Sequence, residues 1–500
     1  MRPTPLPAVL SDSCGRGFLF AQTKGFWYNQ LRFKIKDSSF MAENNDLMEK
    51  IVSLCKRRGF VFPGSEIYGG LANSYEYGPA GVELKKNIID AWWQTFVRSR
   101  PDMVGLDSSI ILHPKTWVAS GHVANLADAM VECKNCHTRT RADHLIEEAL
   151  PEMKVEGKSE AELDAVIQKH KIKCPNCGKF DWTPVRKFNL LFETHVGIVP
   201  EAQSLVYLRG ETAQGIFLSF KNILDSTRVK LPFGVGQVGK SFRNEITKGN
   251  FIFRTLEFEQ AEIEYFFDPE AVKWEDLFED WKKQMWKFIT AALGIKEENL
   301  RWREHGNEER SFYSKRTEDL EYNFPFGFKE LWGLAYRTDY DLKQHSQFSG
   351  MELVYTDPHT NRRFIPHVIE PAVGINRLMA MVLLDSYREE VDRVYLALPP
   401  RLAPYKVAVF PLLANKPLLV EKAKEIYNSL SPHFNVAWDD RGNVGKRYYS
   451  QDEIGTPFCI TVDFDTIEKD GSVTVRDRDT KEQPRVKVEE LKNYLANKII

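Results

Sequence analysis

The chain has 500 residues, 43% hydrophobic and 28% charged, which calls for two or three domains of ordinary globular composition. A net charge of −2 excludes a globally basic nucleic-acid binder, though not a local basic face. No apolar run is long enough to cross a membrane, and two Cys-x-x-Cys pairs among seven cysteines point to metal rather than a disulfide framework.

Residues 1–40 carry basic and serine residues but few acids. They lack the continuous apolar stretch and small-residue cleavage site of a secretory signal. The segment reads as a disordered upstream extension ahead of a start at Met41, or as an organelle transit peptide; its composition favours the first, and with it a cytoplasmic protein. From Met41 onward, Leu47, Ile51, Leu54 and Cys55 recur at helical spacing. The stretch EIYGGLANSYEYGPAG (66–81), dense in Gly, Tyr and Pro, predicts a structured turn region. Leu84, Ile88, Trp92 and Phe96 mark one apolar helix face, and GLDSSIILHP (105–114) predicts a strand that stops at Pro114.

Residues 131–184 read as an insertion, with cysteine pairs bracketing a charged stretch. Within it, Ser159 and Glu162 fit a capping box ahead of a short helix. Residues 188–265 are expected to alternate strands and loops, and 270–292 to form a helix. HVIEPAVGINRLMAMVLLDSY (367–387) predicts a strand, a glycine turn and an apolar helix. LPPRLAP (398–404) predicts the linker between a domain over 41–397 and one over 405–500. The second has strand patterns with helical segments between them, an α/β domain of about 100 residues.

The stretch GKSFRNEITKGNFIFRTLEFEQAEIEY (239–265) reads as two strands around a short loop, yet it is studded with charge. Alternation places Arg243 and Glu245 on one face of the first strand. On the second strand it groups Phe253, Glu257 and Glu259, with Arg254 opposite. Such charges are costly in a core unless they face a polar ligand or each other. An exposed hairpin laced by ion pairs is the plainer alternative, which Phe251, Phe253 and Phe258 disfavour.

FRNE followed by FRTLEFEQAEIEY resembles motif 2 of the class II aminoacyl-tRNA synthetases. EPAVGINRLMAMVL resembles motif 3, and AWWQTFVRSRPDMVGLDSSIILHP motif 1. Three motifs in the right order are more specific than any one. EIYGGLANSYEYGPAGVELK, YLRGETAQGIF, ELWGLAYRTDYDLKQHSQFSG and DEIGTPFCITVDF further resemble the homodimeric glycyl-tRNA synthetases, from about Met41 to the C-terminus.

The resemblance implies a class II α+β catalytic domain, an antiparallel sheet flanked by helices. It also implies a zinc-ribbon-like insertion and a C-terminal α/β anticodon-binding domain. The implied activity is a glycine–tRNA ligase that uses ATP with Mg²⁺ to form glycyl-adenylate and passes glycine to tRNA(Gly). Arg243 would hold the α-phosphate and Glu245 the adenine amino group. Phe253 would stack on one face of adenine and Arg377 on the other. Arg254 and Glu330 would lie near the triphosphate, Glu330 through Mg²⁺. The family's ATP contacts also run through Asn244, Thr255, Leu256, Glu257, Phe258 and Leu331, and through Gly374, Ile375 and Asn376. Its glycine contacts match Arg141, Glu211, Glu259 and Glu370, with Phe258, Gln260, Ala261, Glu262, Ala372 and Gly374. Among these, Glu211, Glu259 and Glu370 would hold the ammonium. Alanine would be rejected sterically, without an editing site. Motif 1 implies a homodimer.

Three departures stand out: Gly210 where the family usually has Pro, Leu256 where many members have Arg, and Ala372 where Ser is frequent. Gly210 is expected to loosen the loop carrying Glu211. Cys133, Cys136, Cys174 and Cys177 form two knuckles suited to a structural Zn²⁺, with His137 and His170 as bystanders. DDRGNVGKRYYSQDEIGTP (439–457) would offer basic and aromatic groups to anticodon-loop bases. The alternative from another class is a non-catalytic nucleic-acid-binding relative, which would be expected to lose its ATP-site charges. A synthetase for proline or threonine fits the architecture but not EIYGG or TDYDL.

Overall fold

The computed structural model describes residues 46–499 apart from 154, 156, 198–203, 247–248, 307–308 and 311–312. The 1–40 segment and the start at Met41 lie outside the described residues.

Seven strands make the main sheet, in the order Leu300–Glu304, Arg316–Phe324, Gly327–Thr338, His367–Gly374, Glu257–Phe267, Phe233–Phe242 and Met103–Gly105. Every neighbouring pair is antiparallel except the last, where Met103–Gly105 runs parallel to Phe233–Phe242. Side-chain alternation along Glu257–Phe267 assigns its two faces. The odd-numbered residues meet the aromatic helices: Tyr265 lies 5.5 Å edge-on to Trp281 of helix Trp274–Lys287. Leu84, Ile88 and Trp92 of helix Pro79–Trp93, with Phe96 of the following π turn, are fully buried as their spacing predicts. On the even-numbered face, Phe266 packs against Phe217 and Phe220 of helix Ala213–Ser226. Helix Ile375–Ser386 follows strand His367–Gly374 directly, and Gly374 is its N-cap.

Three expectations need correction. The region 188–265 is not all strand and loop. It contains helix Ala213–Ser226, whose Ile216, Phe217, Phe220 and Ile223 form a helical stripe within a buried cluster. GLDSSIILHP is not a strand to Pro114: the strand is Met103–Gly105, and beyond it only Ile111 makes an isolated bridge, to Leu208. Ser108 O instead accepts from the buried Arg209 guanidinium at 2.8 Å, which removes it from any ladder. The charged hairpin is shorter than its sequence predicts. Its strands end at Phe242 and begin at Glu257, so Arg243, Glu245 and Arg254 sit in the connecting loop and Phe253 in a 3₁₀ turn. The turn residues Gly249 and Asn250 and the left-handed Phe251 (φ 55°) break the pleat there.

In the insertion, strands Arg139–Arg141, Ala127–Glu132 and Arg186–Asn189 form a small sheet. Helix Glu160–His170 opens on the predicted capping box, with Ser159 and Glu162 each accepting from the other's backbone N–H. The C-terminal domain is a five-stranded sheet, Val436–Trp438, Val407–Pro411, Phe458–Val462, Ser472–Asp477 and Arg485–Lys487. Its first three strands are parallel and the others antiparallel. The Pro-rich stretch 398–404 is packed rather than free: Leu402 O and Ala403 O both accept from Asn87 Nδ2 at 3.0 Å, and Leu398, Leu402 and Ala403 are buried.

Candidate active site

A cavity of about 330 Å³ opens on the even-numbered face of strand Glu257–Phe267. From the loop and turn ahead of that strand come Arg243, Glu245, Phe253, Arg254 and Thr255. Phe258, Gln260 and Glu262 follow along the strand itself. Glu370, Ala372 and Gly374 line it from the neighbouring strand, Asn376 and Arg377 from the helix that follows, and Glu330 and Glu211 from beyond.

Other predicted residues lie elsewhere. Glu257 and Glu259 face the opposite side and line a second cavity of about 300 Å³ with Lys85 and Lys240. Lys85 Nζ lies 2.8 Å from Glu259 Oε2, so Glu259 is a partner of lysine on the far face, away from Glu211 and Glu370. Ala261 shares that odd-numbered face, and Leu331 and Ile375 are core residues. Asn244 and Leu256 act through their main chains: Asn244 N donates to Leu190 O at 2.8 Å, and Leu256 O accepts from Arg243 N at 3.0 Å. That accounts for an apolar residue at 256, since its side chain does not line the cavity. Arg141 is also outside the lining, held by Asp128 at 3.0 Å and Asp143 at 2.6 Å.

At the arginine end the guanidinium of Arg377 lies 4.4 Å above the Phe253 ring. Its Nη1 is 3.0 Å from Glu330 Oε2 and donates to Glu330 O at 3.1 Å. The Arg377 charge pulls the Glu330 carboxyl below its usual range against the effect of burial. Phe253 is braced edge-on by Phe324 and Phe326 at 5.0 and 5.1 Å. Arg243 Nε donates to Gly210 O at 3.1 Å, and Arg254 lies 3.8 Å from Glu245.

At the acid end the groups are buried and interlocked. Burial opposes the Glu211 charge, but His122 at 3.1 Å, Arg337 and Gln214 hold its carboxyl well below the usual range. Arg337, 1% exposed, donates to Glu370 at 2.8 Å and grips Asp341 with two bonds of 2.8 Å. Glu262 accepts from the Thr212 and Ala213 N–H groups, at 2.8 and 2.7 Å, at the start of helix Ala213–Ser226. Burial, with Glu211 and Glu370 nearby, nevertheless pushes Glu262 up to about 8. Beneath it on the same strand face, Glu264 is fully buried and both its carboxyl oxygens lack a hydrogen-bond partner among the described residues. Burial and the adjacent Glu370 drive the Glu264 carboxyl well above its usual range.

The loop bearing Glu211 is not loosened by Gly210. Arg209 and Glu211 are both buried, and a Cβ at Gly210 would lie 3.0 Å from Leu191 and 3.1 Å from Leu126. Sequence reasoning missed His122, Arg337, Asp341 and Glu264 behind the acids, and His305 and Asp319 in the cavity wall. The Arg337–Asp341 spacing of i to i+4 was the available signal, within a stretch already singled out.

Away from the cavity, the Sγ atoms of Cys133, Cys136, Cys174 and Cys177 all lie within 4.8 Å of one another. Cys133–Cys177 and Cys136–Cys174 are each 3.6 Å apart. A tetrahedron with Zn–S bonds of about 2.3 Å has sulfur edges of about 3.8 Å, so the donors fit that ion. The two knuckles repeat one geometry. His137 N donates to Cys133 O and Gly178 N to Cys174 O, each at 2.8 Å, from left-handed residues (φ 58° and 72°). The His137 imidazole turns out to solvent and meets Glu132 at 3.0 Å.

Residues 198–387 match the model of the tRNA synthetase class II core domain (G, H, P, S and T), and residues 406–498 that of the anticodon binding domain. The chain is 54% identical to a glycine–tRNA ligase of Clostridium perfringens, covering 90% of this chain and 98% of that one. It is 53% identical to that of Geobacillus thermodenitrificans, covering 92% and 100%, and 54% identical to that of Geobacillus kaustophilus, covering 90% and 99%. With this likeness along nearly the whole of each relative, the chain belongs to the glycine–tRNA ligase family of class II aminoacyl-tRNA synthetases.

Proposed function

We propose that this chain joins glycine to tRNA(Gly) at the expense of ATP, using the cavity beside strand Glu257–Phe267. One observation carries the reading: a single strand face runs from the arginine end at Phe258 to the buried acids at Glu262. Those five residues span about 13 Å, room for a nucleotide phosphate and an amino acid in line.

In the first step a glycine carboxylate oxygen attacks the α-phosphorus of ATP, and pyrophosphate leaves. In the second, a hydroxyl of the terminal tRNA adenosine attacks the anhydride carbonyl, and AMP leaves. Both need alignment and charge neutralisation more than a protein nucleophile. Arg243 serves the α-phosphate, Arg254 the triphosphate, and Glu245 the adenine amino group. Phe253 and Arg377 serve the adenine faces, and since they touch in this structure, the base must separate them. Glu211, Glu262 and Glu370 receive the glycine ammonium; this set replaces Glu259, which faces Lys85. A cation beside Glu262 would favour its charged form, against the effect of burial.

Glu330 offers hard carboxylate oxygen suited to Mg²⁺, which would supply neutralising charge at the phosphates. The four thiolates would hold a structural Zn²⁺. Unpaired thiols grouped in this way suit a reducing compartment, and we assign the protein to the cytoplasm on that ground. No described helix is long and apolar enough to cross a membrane. The exposed Ile110, Ile111 and Val118 beside motif 1 support a homodimer. A non-catalytic relative has little reason to keep Arg243, Glu245, Glu330 and Arg377 around one cavity.

ATP–pyrophosphate exchange with each amino acid in turn tests the reading. Exchange with glycine alone is expected. Exchange with another amino acid at a comparable rate, or with none, overturns it.

A further inference from the structure

The loop 243–256 brings Arg243, Glu245, Phe253 and Arg254 to the cavity, yet its ends leave the main sheet at Phe242 and rejoin it at Glu257. What holds its shape comes largely from outside the sheet. The short hairpin of strands Val61–Pro63 and Tyr75–Tyr77 lies against it. Tyr75 meets Phe251 edge-on at 5.5 Å, and Tyr77 OH accepts from Asn376 Nδ2 beside Arg377.

Asn73 stands at the entrance to the second of those strands and makes three bonds to the described residues of the loop. Its Nδ2 donates to Glu245 O at 3.1 Å, its Oδ1 accepts from Gly249 N at 2.9 Å, and its own carbonyl accepts from Leu256 N at 2.9 Å. A carbonyl on one side and an N–H on the other fix the amide's orientation without ambiguity. Leu256 O in turn accepts from Arg243 N, so one residue spans the loop from Glu245 to its closing strand and reaches Arg243 through a single intermediary. Asn73 is buried and left-handed, with φ 58°, a conformation that asparagine and glycine tolerate and most residues resist. Gly249 is fitted as closely: a Cβ there would lie 2.1 Å from Arg254 O.

We propose that Asn73 is a positioning residue for the nucleotide half of the site, setting Glu245 and Arg243 for ATP while leaving the buried acids of the glycine half untouched. The acids are held by a separate set: His122, Gln214, Arg337, Thr212 and Ala213. Loss of the Asn73 amide therefore weakens one substrate and not the other. This rests on the functional reading above.

The test uses the full-length protein with Asn73→Gly, which preserves the left-handed backbone and removes the side-chain bonds to Glu245 and Gly249. Asn73→Asp keeps the size but sets a carboxylate oxygen against Glu245 O. Glycine-dependent ATP–pyrophosphate exchange is measured against each substrate, with thermal unfolding alongside. The KM for ATP is expected to rise at least about tenfold in Asn73→Gly, from the lost bonds to Glu245 and Gly249, and no less in Asn73→Asp. The KM for glycine and the unfolding midpoint stay near their starting values. An ATP KM within about twofold of the unaltered protein overturns the proposal, as does an equal rise in both KM values, which marks a general loss of structure. An unaltered protein with no glycine-dependent exchange brings down the functional reading and this proposal with it, a result distinct from either of the others.

Discussion

Phe253 and Glu264 show two ways in which single residues here are set apart from an ordinary sheet. Phe253 presents a ring already covered by the Arg377 guanidinium at 4.4 Å, so a face suited to a base is held by a cation until one arrives. Stacking of a base on an aromatic ring is worth about 1–3 kcal/mol, so Phe253→Ala should raise the KM for ATP about 5- to 150-fold. Exchange kinetics at saturating glycine measure this. Glu264 is the reverse case, a carboxyl with no hydrogen-bond partner among the described residues. Its folded value lies above the ordinary 4.5, so the folded chain keeps a proton that the unfolded chain gives up above that pH. The stability it contributes is fully present below about 4.5 and drains away as pH rises toward the folded value. Glutamine has no proton to lose. Glu264→Gln should therefore melt higher than the unaltered protein at pH 8, with a smaller gap at pH 5, as thermal scans at the two values will measure. The family motifs made Arg243, Glu245, Phe253, Arg377, Glu211 and Glu370 legible in the sequence. Glu264 was not: a partnerless acid inside a sheet looks, in one dimension, like any other alternating charge. Glu259 was misread for the same reason. Alternation assigns faces only once the strand's first residue is known, and the strand begins at Glu257, after a 3₁₀ turn that shifts the phase.

Elements were legible where one periodicity held throughout. Helix Pro79–Trp93 and the Ser159 capping box could be read from spacing alone, because apolar residues or cap partners fall at fixed intervals. Helix Ala213–Ser226 was missed among strands, although its apolar stripe has helical period, because short apolar runs are ambiguous between helix and strand. Segment Leu106–Pro114 failed for a different reason: the buried Arg209 captures the Ser108 carbonyl from a distant point in the chain, which no local pattern records. The insertion depends on a contribution the sequence does show. Its apolar core gathers Val131, Leu145, Ile146, Leu163, Ile167 and Trp182 around two of the buried cysteines, Cys133 and Cys174. That is a small core, and small cores of this kind commonly need a metal to be stable. Cys174→Ser should abolish stoichiometric zinc by elemental analysis. It should also speed proteolysis within 131–184 well before the rest of the chain is cut. Retention of zinc with three thiolates, or cutting no faster than in the unaltered protein, would contradict this.

At the scale of the whole molecule, the catalytic and anticodon-binding domains meet at the C-terminal end of helix Val444–Ile454, where a set of charged contacts crosses beside the buried Leu398. Asp452 is 1% exposed and lies between Arg393 at 3.1 Å and Arg476, which makes two bonds to it of 2.7 and 2.9 Å. Next to it, Glu453 receives Arg57 through two bonds of 3.2 and 2.9 Å and also Arg58, both from the start of the catalytic domain. Arg478 closes the join by donating to Leu398 O at 2.9 Å and Gly455 O at 2.7 Å. The two acids predict different failures. Asp452→Ala strands the buried Arg476 guanidinium and leaves Arg393 to Glu390 and the Arg478 carbonyl, a cost of about 3–5 kcal/mol, and should lower the unfolding midpoint clearly. Glu453 is more exposed, so its loss costs little stability, but Glu453→Arg sets three cations together where one acid held two. The same helix carries the half-exposed Tyr449, and the turn before it the exposed Arg441, the kinds of group proposed to meet tRNA. Glycine activation uses only the cavity, whereas transfer needs tRNA held on both domains at once, in the manner of two linked sites. Glu453→Arg should therefore leave glycine-dependent pyrophosphate exchange near its starting rate and reduce tRNA charging several-fold, mainly by raising the KM for tRNA. A parallel fall in both rates would mean that the junction supports the cavity itself, and unchanged charging would mean that the anticodon-binding domain finds its position without these arginines.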